Sequence, residues 1–343
     1  MGRAVLLALF ALAIAAAPAD AAVTRKKAMW GPVTVDGQSQ FPIYADLGVG
    51  IYESSIGWDA VAPERPANPA NPNDPGYRWP PEIDLALSEA AKYGIQVSLS
   101  VSGAPGWANG GRPRNYAPSR PADYAAFVAA AAKRYPSVHH WLIWGEPTKN
   151  SSFRPRKGAA RRYARLLDTA YGALKRLDRR NLVIGGNTFT VGDSPPLRWI
   201  QQLKLPNGRP PRMDLFGHNP FSARRPDLDN DPLGRGFADF SDLDTLATWI
   251  DRYLKRGTKL FLSEFTLPTG HANWEFNFWM TPATQATWLT DALKITRRWS
   301  RVYTLGYLGL YDDALREDGR QVERGLLERD GTRKPGYAAF KSG

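Results

Sequence analysis

The sequence predicts an α/β chain closed into one (β/α)8 barrel. Short β-branched runs alternate with amphipathic segments along almost the whole chain, and there are eight such pairs. Neither an internal repeat nor a Gly/Ser linker divides them. Residues 1–22 stand apart: Arg3, an apolar run from Ala4 to Ala17 and the small-residue stretch Ala19-Asp20-Ala21 have the pattern of a secretory leader. The expectation is an exported, soluble chain whose single domain is 23–343.

Taken in order, the expected strands are Ala28–Val35, Gly50–Ile56, Ile95–Val101, Val138–Trp144, Asn181–Gly186, Met213–Gly217, Lys259–Phe265 and Val302–Leu310. Between them the helical periodicity covers Gln40–Leu47, Pro81–Tyr93, Ala122–Arg134, Gly158–Arg179, Leu197–Leu203, Leu243–Arg256 and Thr281–Arg298, with a short last helix at Gly336–Lys341. Pro81, Pro121, Pro196 and Pro282 fall at helix starts, where a missing N–H removes no hydrogen bond. The Pro/Asn-rich stretch Pro63–Pro80 reads as a loop on the face where barrel enzymes keep their sites.

Composition narrows the chemistry. With no cysteine, a disulfide framework or thiolate metal site is impossible. His139, His140, His218 and His271 have no metal-ligand spacing, and no glycine pattern cradles a phosphate, so no cofactor or metal is expected. The net charge of +12 raises nucleic acid, an anionic polysaccharide or a cell-envelope surface as partners. No nucleic-acid motif or membrane span accompanies it. Arg161, Arg162, Arg165, Lys175 and Arg176 lie where a helix exposes them and read as solvated surface, while the loops Arg112–Arg120 and Arg154–Lys157 could select an acidic polysaccharide.

Two strand ends carry lone carboxyl groups. Trp141-Leu142-Ile143-Trp144-Gly145-Glu146-Pro147 is an apolar run ending in a glutamate. Its tryptophan surroundings suit a general acid with a raised pKa, although a salt-bridged rim residue fits the same spacing. Lys259-Leu260-Phe261-Leu262-Ser263-Glu264-Phe265 ends the same way. A barrel gathers its strand ends around one mouth, so Glu146 and Glu264 can face each other. Two carboxyl groups about 5–5.5 Å apart across a glycosidic bond support hydrolysis with net retention.

Trp144-Gly145-Glu146-Pro147 is similar to the Trp-Asn-Glu-Pro signature of clan A of the glycoside hydrolases, and Leu262-Ser263-Glu264-Phe265 to that clan's Thr-Glu-Phe-Gly region. The chain resembles the cellulase-like family 5 and xylosidase-like family 39 members. The resemblance implies Glu146 as acid/base after strand 4 and Glu264 as nucleophile on strand 7, acting mostly on β-linkages. It has departures. Gly145 stands where the clan's asparagine holds the sugar 2-hydroxyl, leaving Asn187 or Asn219 as substitute donors. Tyr52-Glu53-Ser54-Ser55 replaces the usual strand 2 arginine, and Tyr311 is the nearest stand-in for the strand 8 tryptophan. His218 carries over as an orienting or substrate-contacting residue. Trp107, Trp144 and the loop 271–279, with Trp274 foremost, are the candidate sugar platforms. Phe276 and Phe278 read as pins for that loop, and Trp58, Trp199, Trp249 and Trp288 as packing residues. Two further readings stand beside the enzyme: a carbohydrate-binding barrel without chemistry, and a basic protein for anionic polymers.

Overall fold

A computed structural model describes residues 24–343 except Ala272 and Trp274. The leader 1–22 and the platform Trp274 therefore lie outside the described residues. Eight parallel strands close the barrel: β1 (Thr24–Trp30), β2 (Val49–Gly57), β3 (Gln96–Ser102), β4 (His140–Ile143), β5 (Leu182–Phe189), β6 (Leu215–Asn219), β7 (Lys259–Phe265) and β8 (Val302–Leu308). Each pairs with its sequence neighbours, and β8 returns to β1. The expected (β/α)8 architecture is the one observed.

Strand burial follows from that closure. With helices outside and side chains filling the interior, both faces exclude water, which is why these strands read as apolar runs. Ala28, Ile51, Leu142, Ile184, Leu215 and Phe261 form one interior cluster. The larger core lies between barrel and helices, where amphipathic Ala159–Leu177 buries Tyr163, Leu166, Leu167 and Leu174 and exposes its arginines.

Two expectations are corrected. The first strand ends at Trp30, because Gly31-Pro32 breaks it and Val35 belongs to a small antiparallel hairpin, Thr34–Val35 with Gln38–Ser39. The strand begins at Thr24, through two lysines that hide its periodicity. Lys27 is buried, its ammonium donating to the carbonyls of Leu47, Phe340 and Lys341. The loop 63–80 covers a flank: Trp79 stacks on Phe127 and meets Tyr135 edge-on, and Lys133 donates to the Ala70 carbonyl. It does not line the cleft that holds the glutamates.

Candidate active site

Glu146 and Glu264 line one cleft of about 470 Å³ at the C-terminal mouth of the barrel. Local backbone irregularities aim both. β4 stops at Ile143, and the chain turns with Trp144 and Glu146 in the left-handed region, at φ 63° and 43°. Non-glycine residues there cost energy unless the surroundings hold them. The holding groups are visible. Asn187, itself at φ 42°, donates its amide to the carbonyls of Ile143 (3.2 Å) and Trp144 (2.8 Å). The Tyr163 hydroxyl donates to the Ile143 carbonyl, and the Trp144 indole to the Ser152 carbonyl. On β7, Leu262 pairs with Leu305 but Phe265 with Tyr307, so one extra residue bulges at Ser263–Glu264. Such a bulge re-aims the side chain it carries.

The environments of the two carboxyl groups differ. Glu146 accepts a hydrogen bond from the Asn219 amide (3.0 Å) and forms an ion pair with Lys149 (2.7 Å). Lys149 in turn lies over the Phe189 ring. Among the described residues nothing donates to the Glu264 carboxyl. Burial, with the Glu146 and Glu275 charges, raises its pKa to about 8 against the opposing pull of Lys149 and Arg324. Beneath it, β2 points Glu53 into the barrel, where it accepts from the Ser263 hydroxyl (2.7 Å). Its other oxygen has no partner, and burial pushes this acid well above the usual carboxylate range, with Glu264 adding to the shift. Only glycine fits at position 306, since a Cβ there would lie 2.2 Å from Glu53 Oε1. The strand 2 departure thus places a carboxylic acid under Glu264.

Aromatic rings furnish one wall. Phe189, Phe221, Phe276 and Phe278 form a chain of ring contacts at 5.5, 5.5 and 5.7 Å, and all four line the cleft. Phe276 and Phe278 are therefore wall residues as well as loop pins. Arg324 secures their loop from beneath, paired with Glu275 and Asp313 and lying against the Phe276 ring. Arg224 also faces the cleft but is engaged by Asp239 and Asp242.

Of the other expected site residues that the structure describes, only Asn219 hydrogen-bonds a candidate catalytic group. His218 is fully buried. Its two ring nitrogens meet the Thr188 hydroxyl (2.7 Å) and the Ala238 carbonyl (2.9 Å), and burial lowers its pKa to about 4, so it is neutral. It orients β6 beside Asn219 and does not line the cleft. Asn187 is committed to the turn before Glu146. Trp144 packs between Tyr124 and Phe153. Trp107 packs edge-on against Trp58, with its indole donating to the Ala62 carbonyl and the Arg65 guanidinium over its ring. Tyr311 donates to Gln40 and lines a separate cavity beside Trp30. Residues not anticipated are Lys149 and the Phe189–Phe221 pair, while Glu53 stood out only as a departure at strand 2 and not as a neighbour of Glu264. Lys149, three positions after Glu146 in a turn, was the one detectable by spacing.

No family profile and no curated protein matches the sequence. Solved structures do match in shape. A family 39 glycoside hydrolase from Bacteroides cellulosilyticus WH2 superposes with a TM-score of 0.68 at 17% identity, over 93% of this chain and 63% of that one. A monomeric β-xylosidase from Caulobacter crescentus CB15 gives 0.64 at 16% identity, over 95% and 69%. A xylanase from Paenibacillus barcinonensis gives 0.58 at 13%, over 92% and 94%. The chain thus spans less than two thirds of the first structure's length. It shares with all three its barrel fold.

Proposed function

We propose that the chain is a retaining glycoside hydrolase acting on O-glycosidic bonds, β in configuration, of an oligo- or polysaccharide. The observation that carries this reading is the delivery of two electrostatically coupled carboxyl groups, from the ends of β4 and β7, into one aromatic-walled cleft. In the assigned mechanism a Glu264 oxygen bonds to the anomeric carbon as the glycosidic C–O bond breaks, and Glu146 gives its proton to the departing oxygen. Glu146 then takes a proton from water, whose oxygen displaces Glu264 and restores it. Burial and the neighbouring Glu146 charge favour the protonated form of Glu264, while Lys149 pairs with Glu146, so the assigned roles require substrate to draw the proton towards Glu146.

That distribution favours a second reading in which the two roles are exchanged. Azide rescue of Glu146→Ala and Glu264→Ala on an aryl glycoside separates them. Azide attacking a glycosyl-enzyme yields the retained glycosyl azide and marks the missing residue as acid/base; azide attacking the substrate directly yields the inverted product and marks the nucleophile. The assignment expects the retained product from Glu146→Ala and the inverted one from Glu264→Ala, and the opposite pattern exchanges the roles. A wild type with no turnover whose sugar binding survives loss of both glutamates would replace the enzyme with a carbohydrate-binding barrel. Export is part of the proposal, supported by the leader pattern of 1–22. Mass spectrometry of protein from the medium should find a mature chain starting near Ala22, and a retained Met1 would refute it.

A further inference from the structure

The positive charge is concentrated. Between Arg112 and Arg165 the sequence has twelve Lys/Arg and, as acids, only Asp123 and Glu146, so this stretch carries most of the chain's net +12. The fold gathers it further by joining the loops that follow β3 and β4. Ala117 N–H donates to the Arg154 carbonyl (2.7 Å) and Arg154 N–H to the Asn115 carbonyl (2.8 Å), and the Tyr116 ring lies beneath the guanidinium groups of both Arg112 and Arg154. These loops and the start of helix Ala159–Leu177 enclose a pocket of about 320 Å³.

Arg112, Arg162 and Arg165 reach this pocket, and no carboxylate lines it. Among the described residues none of the three forms an ion pair, whereas Arg114, Arg120 and Arg212 nearby are each engaged by an aspartate. The frame is stiff: Pro118, Pro121 and Pro155 form walls, and the Asn109 side chain ties the 109–113 turn by donating to three carbonyls and accepting from Arg112 N–H. A rigid polar pocket holding three uncompensated guanidinium groups suits a carboxylate or sulfate, which arginine binds through paired hydrogen bonds.

We propose that this pocket is an anion subsite that docks a uronate carboxylate or sulfate ester of an acidic polysaccharide on the face where the glutamate cleft opens. The link to cleavage rests on the glycosidase reading; the binding does not. The loop that begins at Glu146 also supplies Pro155 to the pocket, so one chain segment borders both sites.

The test uses the full mature chain carrying Glu264→Gln, so that ligand is bound and not cut. Calorimetry compares oligogalacturonates, heparin oligosaccharides and uncharged xylo-oligosaccharides at low and high salt. Arg162→Ala/Arg165→Ala should weaken binding of an acidic ligand at least about tenfold, since charge-assisted hydrogen bonds carry that much. Lys294→Ala/Arg298→Ala, which removes the same charge elsewhere on the surface, should change it little. Tighter binding of the galacturonate or of the heparin series identifies the anion as carboxylate or sulfate. Equal losses in the two double variants, or neutral ligands binding as tightly as acidic ones, would overturn the subsite. Arginine-dependent binding by a wild type that cuts none of these polymers would instead remove the glycosidase reading and leave the subsite standing.

Discussion

Replacing Glu146 by Gln removes one charge from the coupled pair and keeps the shape of the site. At the spacing of about 5.5 Å that a retaining pair requires, and with an effective dielectric of about 20, two carboxylates repel by about 3 kcal/mol. That corresponds to about two pKa units, and solvent at the cleft mouth reduces it to about one or two. Lys149 also loses its partner, which leaves its charge freer to act on Glu264. Both changes favour ionised Glu264, so its midpoint should fall from about 8 to between about 6 and 7. A 2,4-dinitrophenyl glycoside reads this directly, because its leaving group departs without acid assistance and the burst of dinitrophenolate reports attack by the ionised carboxylate. The acid limb of the burst rate in Glu146→Gln should move down relative to wild type. A limb that stays near 8 or rises would refute both the coupling and the placing of the proton on Glu264.

The same raised pKa implies a stability signature. Glu264 titrates higher folded than unfolded, so its contribution is fully present below the unfolded pKa near 4.5 and is lost as pH rises through about 8. Glu264→Gln, neutral at every pH, should therefore be more stable than wild type by on the order of 2 kcal/mol at pH 8 once solvent at the mouth is allowed for, and by little at pH 5. Scanning calorimetry at both pH values should show a gap of a few degrees at pH 8 only, and an equal gap at both would contradict it. Asn187→Ala removes two donors from buried carbonyls and puts a Cβ-bearing residue less tolerant than asparagine at positive φ, so urea unfolding should show a loss of about 2–4 kcal/mol. Asn187→Gly should recover only the backbone part, and an unchanged midpoint in Asn187→Ala would mean that the turn before Glu146 is held by other groups.

The fold was legible because strands buried on both faces must be apolar runs, and only β1 was misplaced, where buried Lys27 broke the pattern and Val35 imitated it. Both glutamates were visible as lone carboxyl groups closing such runs. What hid the rest was register. The bulge at Ser263–Glu264 and the left-handed turn at Trp144 depend on neighbours in other strands, and no local periodicity encodes them. Asn187 and Trp144 were conspicuous as residue types, yet their polar groups serve backbone carbonyls. Glu53 stood out as a departure at strand 2, but its partner Ser263 lies on β7, three strands away around the barrel.

Glu53 bears most on how the site would work. Where the resemblance leads one to expect an arginine, the barrel interior holds Glu53, whose pKa burial raises well above the usual carboxylate range, so among the described residues strand 2 offers no cation from below to stabilise the charge on Glu264. The opposing positive groups, Lys149 and Arg324, are already paired with Glu146, Glu275 and Asp313. Under the proposed mechanism, stabilisation of the Glu264 charge must then come largely from the substrate, whose anomeric carbon becomes positive only as the glycosidic bond breaks. An interaction that strengthens only in the transition state accelerates the chemical step without tightening ground-state binding. A protein that withholds a permanent partner from its nucleophile thus sacrifices population of the ionised form at neutral pH and keeps that attraction for the transition state.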